Sequence, residues 1–393
     1  MNNSRKIVLV GTGMVGMSFA YAALNQHIGD ELLLIDIDRE RAQGEAMDLN
    51  HGLAFASGSM KIAAGDYADC ADADIVAICA GVNQKPGESR LQLLQRNTQV
   101  FRSIVEPVVA SGFNGIFLVA TNPVDIMTRV TYELSGFNAG RVLGTGTTLD
   151  TARLRYLLGD YFGVDARNMH AYVMGEHGDS EFVPWSQAML ATRSVVELCR
   201  SHPEGYRLEE LERISTEVRE AAQKIIAAKK ATYYGIGMSM TRIARAILSN
   251  ESSVLTVSAR LRGEYGQKDV FVGAPCIINR QGVERVLELD LSEEERRKWL
   301  PSGRVRPWLA TGGTPSSISG MVISKSCNET IRFGWTGTTT VRFRSSVNVC
   351  VGSAALATNP TSNSIVKSTR ITLPLKSVPT LPEQQQEKRP ANQ

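Results

Sequence analysis

The stretch KIVLVGTGMVGMSFAYAALNQ, residues 6–26, changes its period in the middle. Ile7 to Val10 is an unbroken, mostly β-branched apolar run, the pattern of a strand buried on both faces. From Met14 onward, small and apolar residues recur at helical spacing instead. At the junction stands GTGMVG, with Gly11, Gly13 and Gly16 after the strand and at the start of the helix. Glycines there permit a tight turn and close backbone approach, and the helix N-terminus presents free N–H groups and the positive end of its dipole. The turn, with Met14 and Val15 between its glycines, is therefore expected to cradle a pyrophosphate. Alone this pattern is weak, but Asp36 stands 20 residues beyond Gly16, at the end of the next apolar run. A carboxylate there accepts hydrogen bonds from an adenosine ribose and repels a 2′-phosphate, which favours NAD over NADP.

Working outward, ELLLIDID (31–38), ADIVAICAG (73–81) and GIFLVATNP (115–123) repeat the strand pattern. Residues 14–27, 40–49 and 91–111 carry helical spacing between them. Alternation of this kind predicts an α/β fold with a doubly wound parallel sheet and helices on both faces. Further on, Leu208, Leu211, Ile214, Val218, Ala221 and Ile225 fall three or four apart and mark a long amphipathic helix over 208–231, expected to return to the cofactor-binding half. VLTVSARL (254–261) and the run 270–289 read as antiparallel strands around turns, so a second, α+β domain is expected. The boundaries drawn are 1–145 for the cofactor domain, 146–299 for the substrate domain and 300–393 for a tail of different character.

That tail shows in the charge. The chain carries +3 overall, but residues 301–393 hold 11 Lys and Arg against 3 acidic residues, with 25 Ser or Thr, so the body is acidic and the tail basic. No apolar run approaches the roughly 20 residues that span a bilayer, and the short run at Ile7–Val10 is too brief for a secretion signal, so a cytoplasmic protein without a membrane segment is expected. The six cysteines lack CxxC spacing and are expected to be reduced thiols.

Four further segments carry candidate chemistry. NQKPGESR (83–90) is a polar stretch after a strand, where open α/β sheets bind ligands; it can act as a lid and bring Arg90 onto a substrate oxygen. TNPVD (121–125) places Asn122 at the same rim. In GTTLDTARLR (146–155), Asp150 and Arg153 share one face of a helix expected to start near Thr148, and Arg155 points about 180° away. Buried, that Asp/Arg pair suggests an anion site in which Arg153 offers a planar fork to a carboxylate. GEHGDSE (175–181) holds His177 between acidic residues and glycines. Neither it nor the His170/His177 spacing matches a helical zinc motif such as HExxH, so no metal is expected.

Together these motifs, in order and spacing over about residues 5–299, resemble the L-lactate dehydrogenases, specifically the bacterial type activated by fructose 1,6-bisphosphate. The resemblance implies a Rossmann cofactor domain, NAD as cofactor and pyruvate/L-lactate as substrates. It implies His177 as the acid/base, Asp150 as the residue that orients it, Arg153 as the carboxylate grip and Arg90 as the loop arginine that polarises the carbonyl. Asn122 would lie by the nicotinamide and substrate oxygen, and Thr232, in KKATYYGIG, would line the pocket. Gln84 would decide the substrate: relatives that act on malate place an arginine there, and glutamine offers no charge to a second carboxylate. Arg155 and His170 match the allosteric phosphate-binding pair, a site between subunits, which implies a homotetramer.

Where the family's last helix runs on for several turns, this one starts with a Ser292/Glu295 capping box and meets Pro301 and Gly303. The remaining residues resemble nothing in the family, and a frameshift near the end of the coding region would leave such a tail. The basic excess there comes with no nucleic-acid motif, so no nucleic-acid partner is expected. Two alternatives stand beside the main reading: an NAD-binding homologue with impaired catalysis because its last helix is replaced, and a dehydrogenase of malate or another 2-hydroxy acid.

Overall fold

The computed structural model describes residues 5–82, 87 and 89–302; the tail from 303 onward lies outside them. The first half runs β1 (Lys6–Val10), α1 (Met14–Asn25), β2 (Glu31–Ile35), α2 (Arg39–Gly52), β3 (Lys61–Ala64), β4 (Ile75–Ile78), α3 (Arg90–Ala110), β5 (Ile116–Val119), α4 (Val124–Ser135) and β6 (Val142–Gly144). The second half runs α5 (Thr148–Phe162), β7 (Met169–His170), β8 (Met189–Leu190), β9 (Arg193–Ser194), α6 (Val195–Ser201), α7 (Leu208–Lys229), α8 (Tyr234–Leu248), β10 (Ser253–Arg262), β11 (Lys268–Asn279), β12 (Gly282–Val286) and α9 (Glu293–Ser302).

Strands β1 to β6 are parallel, in the order β6-β5-β4-β1-β2-β3. Every residue of β1 is buried, and alternate ones serve opposite layers. Ile7 and Leu9 pack with Phe19, Ala23, Ile243 and Ile247 on one face, while Val8 and Val10 pack with Phe101, Val105 and Phe117 on the other. Of the antiparallel strands of the second half, the short β7, β8 and β9 form a small sheet of their own, but β10, β11 and β12 do not. They continue the parallel one, β10 pairing with β6 at Ser258 and Gly144, to give nine strands ending β10-β11-β12. The second half keeps a separate core in which Leu154 and Leu158 of α5 meet Leu198, Leu211, Ile214 and Val218.

The helix that returns over the cofactor half is α8, not the long α7 expected from the sequence. Helix α7 buries a narrow stripe against α5 and α6. Helix α8 crosses α1 so closely that a Cβ on Gly237 would stand 2.7 Å from the backbone of Ser18. Small residues set which helix can approach a neighbour's backbone, and the apolar stripe alone does not show this. No helix among the described residues is long and apolar enough to cross a membrane. Cys70, Cys79, Cys199 and Cys276 are free thiols.

Candidate active site

The C-terminal ends of β1, β4, β5 and β6 open on one rim, where α/β sheets of this kind take ligands. At β1, Gly11 has φ +99°, and a Cβ there would stand 2.6 Å from the backbone nitrogen of Ala80. A Cβ on Gly16 would be 2.0 Å from the Gly11 carbonyl, so helix α1 starts this close to the strand only with glycine at both positions. Gly13 differs: nothing lies within 4 Å of a Cβ there, and it caps α1 without a side-chain hydrogen bond. The first turn of α1, with exposed Met14 and half-buried Val15, thus leaves open room and uncapped N–H groups for an anion. Asp36 closes the far side. Its Oδ2 accepts the Thr12 N–H at 2.7 Å and the Thr12 hydroxyl at 2.9 Å, and its Oδ1 accepts the Asp38 N–H. Burial acts to raise its pKa, but these bonds prevail and hold it below the usual carboxylate range. A charged carboxylate, an uncapped helix N-terminus and an open glycine fit the pyrophosphate and ribose of NAD.

Across the rim, His177 meets Asp150. His177 Nδ1 lies 2.7 Å from Asp150 Oδ2, and Arg153 Nη1 donates to Asp150 Oδ1 at 2.8 Å. Asp150 stands in the first turn of α5 and is buried at 2% exposure, while Arg155 turns away, as its position two residues beyond Arg153 requires. The His177 loop is stitched to α5 and to the sheet. Thr147 Oγ1 donates to the Val173 carbonyl at 2.7 Å, the Val173 N–H donates to Thr151 Oγ1, and Gly175 and Gly273 exchange backbone bonds. Buried Asp125 fixes the loop from α4, accepting the His177 backbone N–H at 2.9 Å on one oxygen and the Ser258 hydroxyl on the other.

Burial works to lower the His177 pKa, but the bond to Asp150 and its negative charge outweigh burial and raise it to about 9. Asp150 is held below its ordinary value: burial opposes this, and His177 and Arg153 overcome it. Glu181, buried and 4.0 Å from His177 Nδ1, is pushed up to about 8 by burial and by the charge of Asp150. The donor atoms of Asp150, His177 and Glu181 lie within 4.8 Å of one another, but Arg153 already supplies Asp150 with positive charge.

The remaining sequence candidates fall as follows. Asn122 is exposed just after β5, at the rim, and precedes a cis peptide to Pro123. Thr232 is half-buried in the link between α7 and α8. Arg155 is half-buried behind the site; its Nε donates to the Ala171 carbonyl at 3.0 Å and its guanidinium lies 5.3 Å from the Tyr172 ring centroid. His170, one residue before Ala171, is exposed on β7. Arg90 is the first residue of α3; its side chain, and Gln84 altogether, lie outside the described residues. Sequence reading missed Asp125 and Glu181, although both lie inside quoted motifs. An acidic residue directly following an apolar one in TNPVD carries no sign that it will be buried.

Two family models match in succession: the lactate/malate dehydrogenase NAD binding domain over residues 5–144, and the lactate/malate dehydrogenase alpha/beta C-terminal domain over 147–304. The chain is 53% identical over 300 residues to L-lactate dehydrogenase 2 of Bacillus anthracis, covering 76% of this chain and 95% of that protein. It is 55% identical over 302 residues to L-lactate dehydrogenase of Geobacillus kaustophilus, with coverage of 76% and 95%. Among solved structures, it is similar to a lactate dehydrogenase from a Medee basin deep-sea metagenome library (TM-score 0.75, 51% identity, 77% of this chain and 96% of that one). It is also similar to a minor L-lactate dehydrogenase of Enterococcus mundtii (TM-score 0.75, 48% identity, 77% and 96%). With both family models matched in sequence and relatives spanned nearly end to end, the chain belongs to the lactate/malate dehydrogenase family.

Proposed function

We propose that the protein is an L-lactate dehydrogenase that reduces pyruvate to L-lactate reversibly, with His177 as acid/base. The observation that carries this reading is the chain of contacts from Arg153 through buried Asp150 to His177, which keeps an imidazolium protonated at neutral pH beside a guanidinium fork. When bound, NADH supplies the hydride; Gly11, Gly13, Met14, Val15, Gly16, Asp36 and Asn122 are the residues that would hold it. Arg153 grips the substrate carboxylate through the part of its guanidinium not bonded to Asp150. His177 gives the proton on Nε2 to the substrate oxygen while Asp150 holds Nδ1–H, and it takes the proton back in the reverse direction. Arg90 stabilises the developing oxyanion, Thr232 lines the pocket, and Gln84 sets preference for a substrate with a single carboxylate.

Substrate choice is tested at Gln84. Steady-state rates with pyruvate and with oxaloacetate, for the natural chain and Gln84→Arg, are expected to shift the kcat/KM ratio toward oxaloacetate by about tenfold or more, since a pairing charge facing a desolvated carboxylate contributes about 1.5–3 kcal/mol. An unchanged ratio contradicts the role given to Gln84.

The finer reading extends to regulation and assembly: a cytoplasmic homotetramer activated by fructose 1,6-bisphosphate at Arg155 and His170. Arg155 supports it as a half-buried guanidinium, its pKa lowered by burial, that makes no ion pair among the described residues. Arg155→Ala is expected to abolish activation while leaving the rate at saturating pyruvate, and activation surviving in that variant counts against the site.

A further inference from the structure

A second concavity lies at the opposite end of the sheet from His177. It is lined by residues just before β5 and β6, together with the ends of β10, β11 and β12, and encloses about 730 Å³. That volume lies within the range of small-molecule sites, roughly 300–1,000 Å³. Five of its lining residues are arginines, against the two acids Glu264 and Glu284. One of the five, Arg260, is neutralised by Asp269. The other four, Arg141, Arg262, Arg280 and Arg285, make no ion pair among the described residues.

The partners seen for these arginines are neutral rather than anionic. Arg141 is half-buried between the Asn114 side-chain oxygen and the Phe137 ring, and burial lowers its pKa. Arg262 donates to the Asn138 side-chain oxygen at 3.2 Å, and Arg280 to the Leu248 carbonyl at 3.3 Å. The acids are partly engaged elsewhere: Glu264 accepts the Arg262 backbone N–H and Glu284 accepts from Asn279. The floor is closed by backbone, since a Cβ on Gly282 would stand 2.1 Å from the Gly140 carbonyl. Unpaired positive charge gathered in a concavity repels itself and focuses a field that attracts anions. Guanidinium forks match phosphate oxygens in pairs, and several of them around one cavity match more than one phosphate. Among the described residues no aromatic ring lines the cavity, so they offer no platform for a nucleobase.

We infer that this arginine-lined cavity binds a compact, non-nucleotide polyanion carrying two or more phosphate groups, at a site separate from both His177 and Arg155. Such a ligand cannot reach the reacting atoms, because Asn114 and Arg141 stand at the start of strands whose other ends carry Asn122 and Asp150.

The test is calorimetric titration of the full chain with inorganic tripolyphosphate, compared with the double variant Arg262→Ser/Arg285→Ser and with Arg155→Ala. Both replaced arginines in the double variant are exposed, and its near-ultraviolet circular dichroism should match that of the natural chain. The double variant is expected to bind at least about tenfold more weakly, as loss of two charge-assisted contacts predicts, while Arg155→Ala binds as the natural chain does. Absence of binding by the natural chain overturns the proposal. So does equal binding by the double variant, or a loss in Arg155→Ala as large as in the double variant.

Discussion

Asp150→Asn is expected to lower kcat/KM for pyruvate reduction by about 10²–10⁴-fold, the range that correctly placed acid–base chemistry contributes. The variant keeps the size of the side chain but removes the charge that holds the imidazolium and offers an amide where Nδ1 needs an acceptor. The pH profile should move with it. In the natural chain the reducing reaction needs protonated His177, so its rate holds through neutral pH and is lost as pH rises through about 9. The reverse reaction needs the neutral ring and gains over the same interval. With Asp150 neutral, burial lowers the pKa unopposed by its main partner, and the alkaline limb should fall toward or below the ordinary value of 6.5. Rate measurements across pH in both directions check this; a profile unmoved in Asp150→Asn would show that another group sets the limb. Asp125 and Glu181 also face the histidine, so their charges contribute to what remains.

Trp299→Ala is expected to destabilise the protein by about 3–5 kcal/mol, as removal of a large buried aromatic does. Trp299 is 2% exposed in α9, its ring 4.6 Å from Tyr265 and 6.3 Å from Phe182. Phe182 in turn exchanges backbone bonds with Met174, closing the base of the loop that carries His177. One turn earlier, Glu295 accepts the Ser186 N–H at 2.9 Å and the Ser186 hydroxyl at 2.6 Å, and completes the capping box with Ser292. Through Glu295 and Trp299, α9 thus packs against the segments that flank the His177 loop. Denaturant unfolding of Trp299→Ala, with NADH oxidation measured in parallel, should show lower stability together with a reduced kcat. Unchanged stability would mean that α9 does not clamp the loop.

How much of this was legible in the sequence follows from segment length and from what a pattern can encode. The strands β1, β2, β4 and β5 announce themselves as apolar runs bounded by turn residues. Strands β3 and β6 escape, being KIAA and VLG, four and three residues with no run or alternation to mark them. The antiparallel strands β10 to β12 were recognisable, unlike the two-residue β7, β8 and β9, but their union with the parallel sheet was not. It rests on a single pairing between Gly144 and Ser258, where a Cβ on Gly144 would stand 2.2 Å from Thr128 Oγ1, a contact no local pattern reveals. At the site, helical spacing was enough to put Asp150 and Arg153 on one face, whereas His177 beside Asp150 was implied only by the family resemblance. The buried partners Asp125 and Ser258 were invisible because burial of a polar residue depends on what folds over it.

The central claim is tested most directly by the loss of NADH absorbance on adding pyruvate to the full chain, with His177→Asn beside it. The account predicts pyruvate-dependent oxidation by the natural chain and a rate lower by at least about 10²-fold in His177→Asn, with NADH binding retained. NADH bound by the natural chain but not oxidised by pyruvate would contradict it, and would mark this chain as a family member that holds the cofactor without carrying out the reaction.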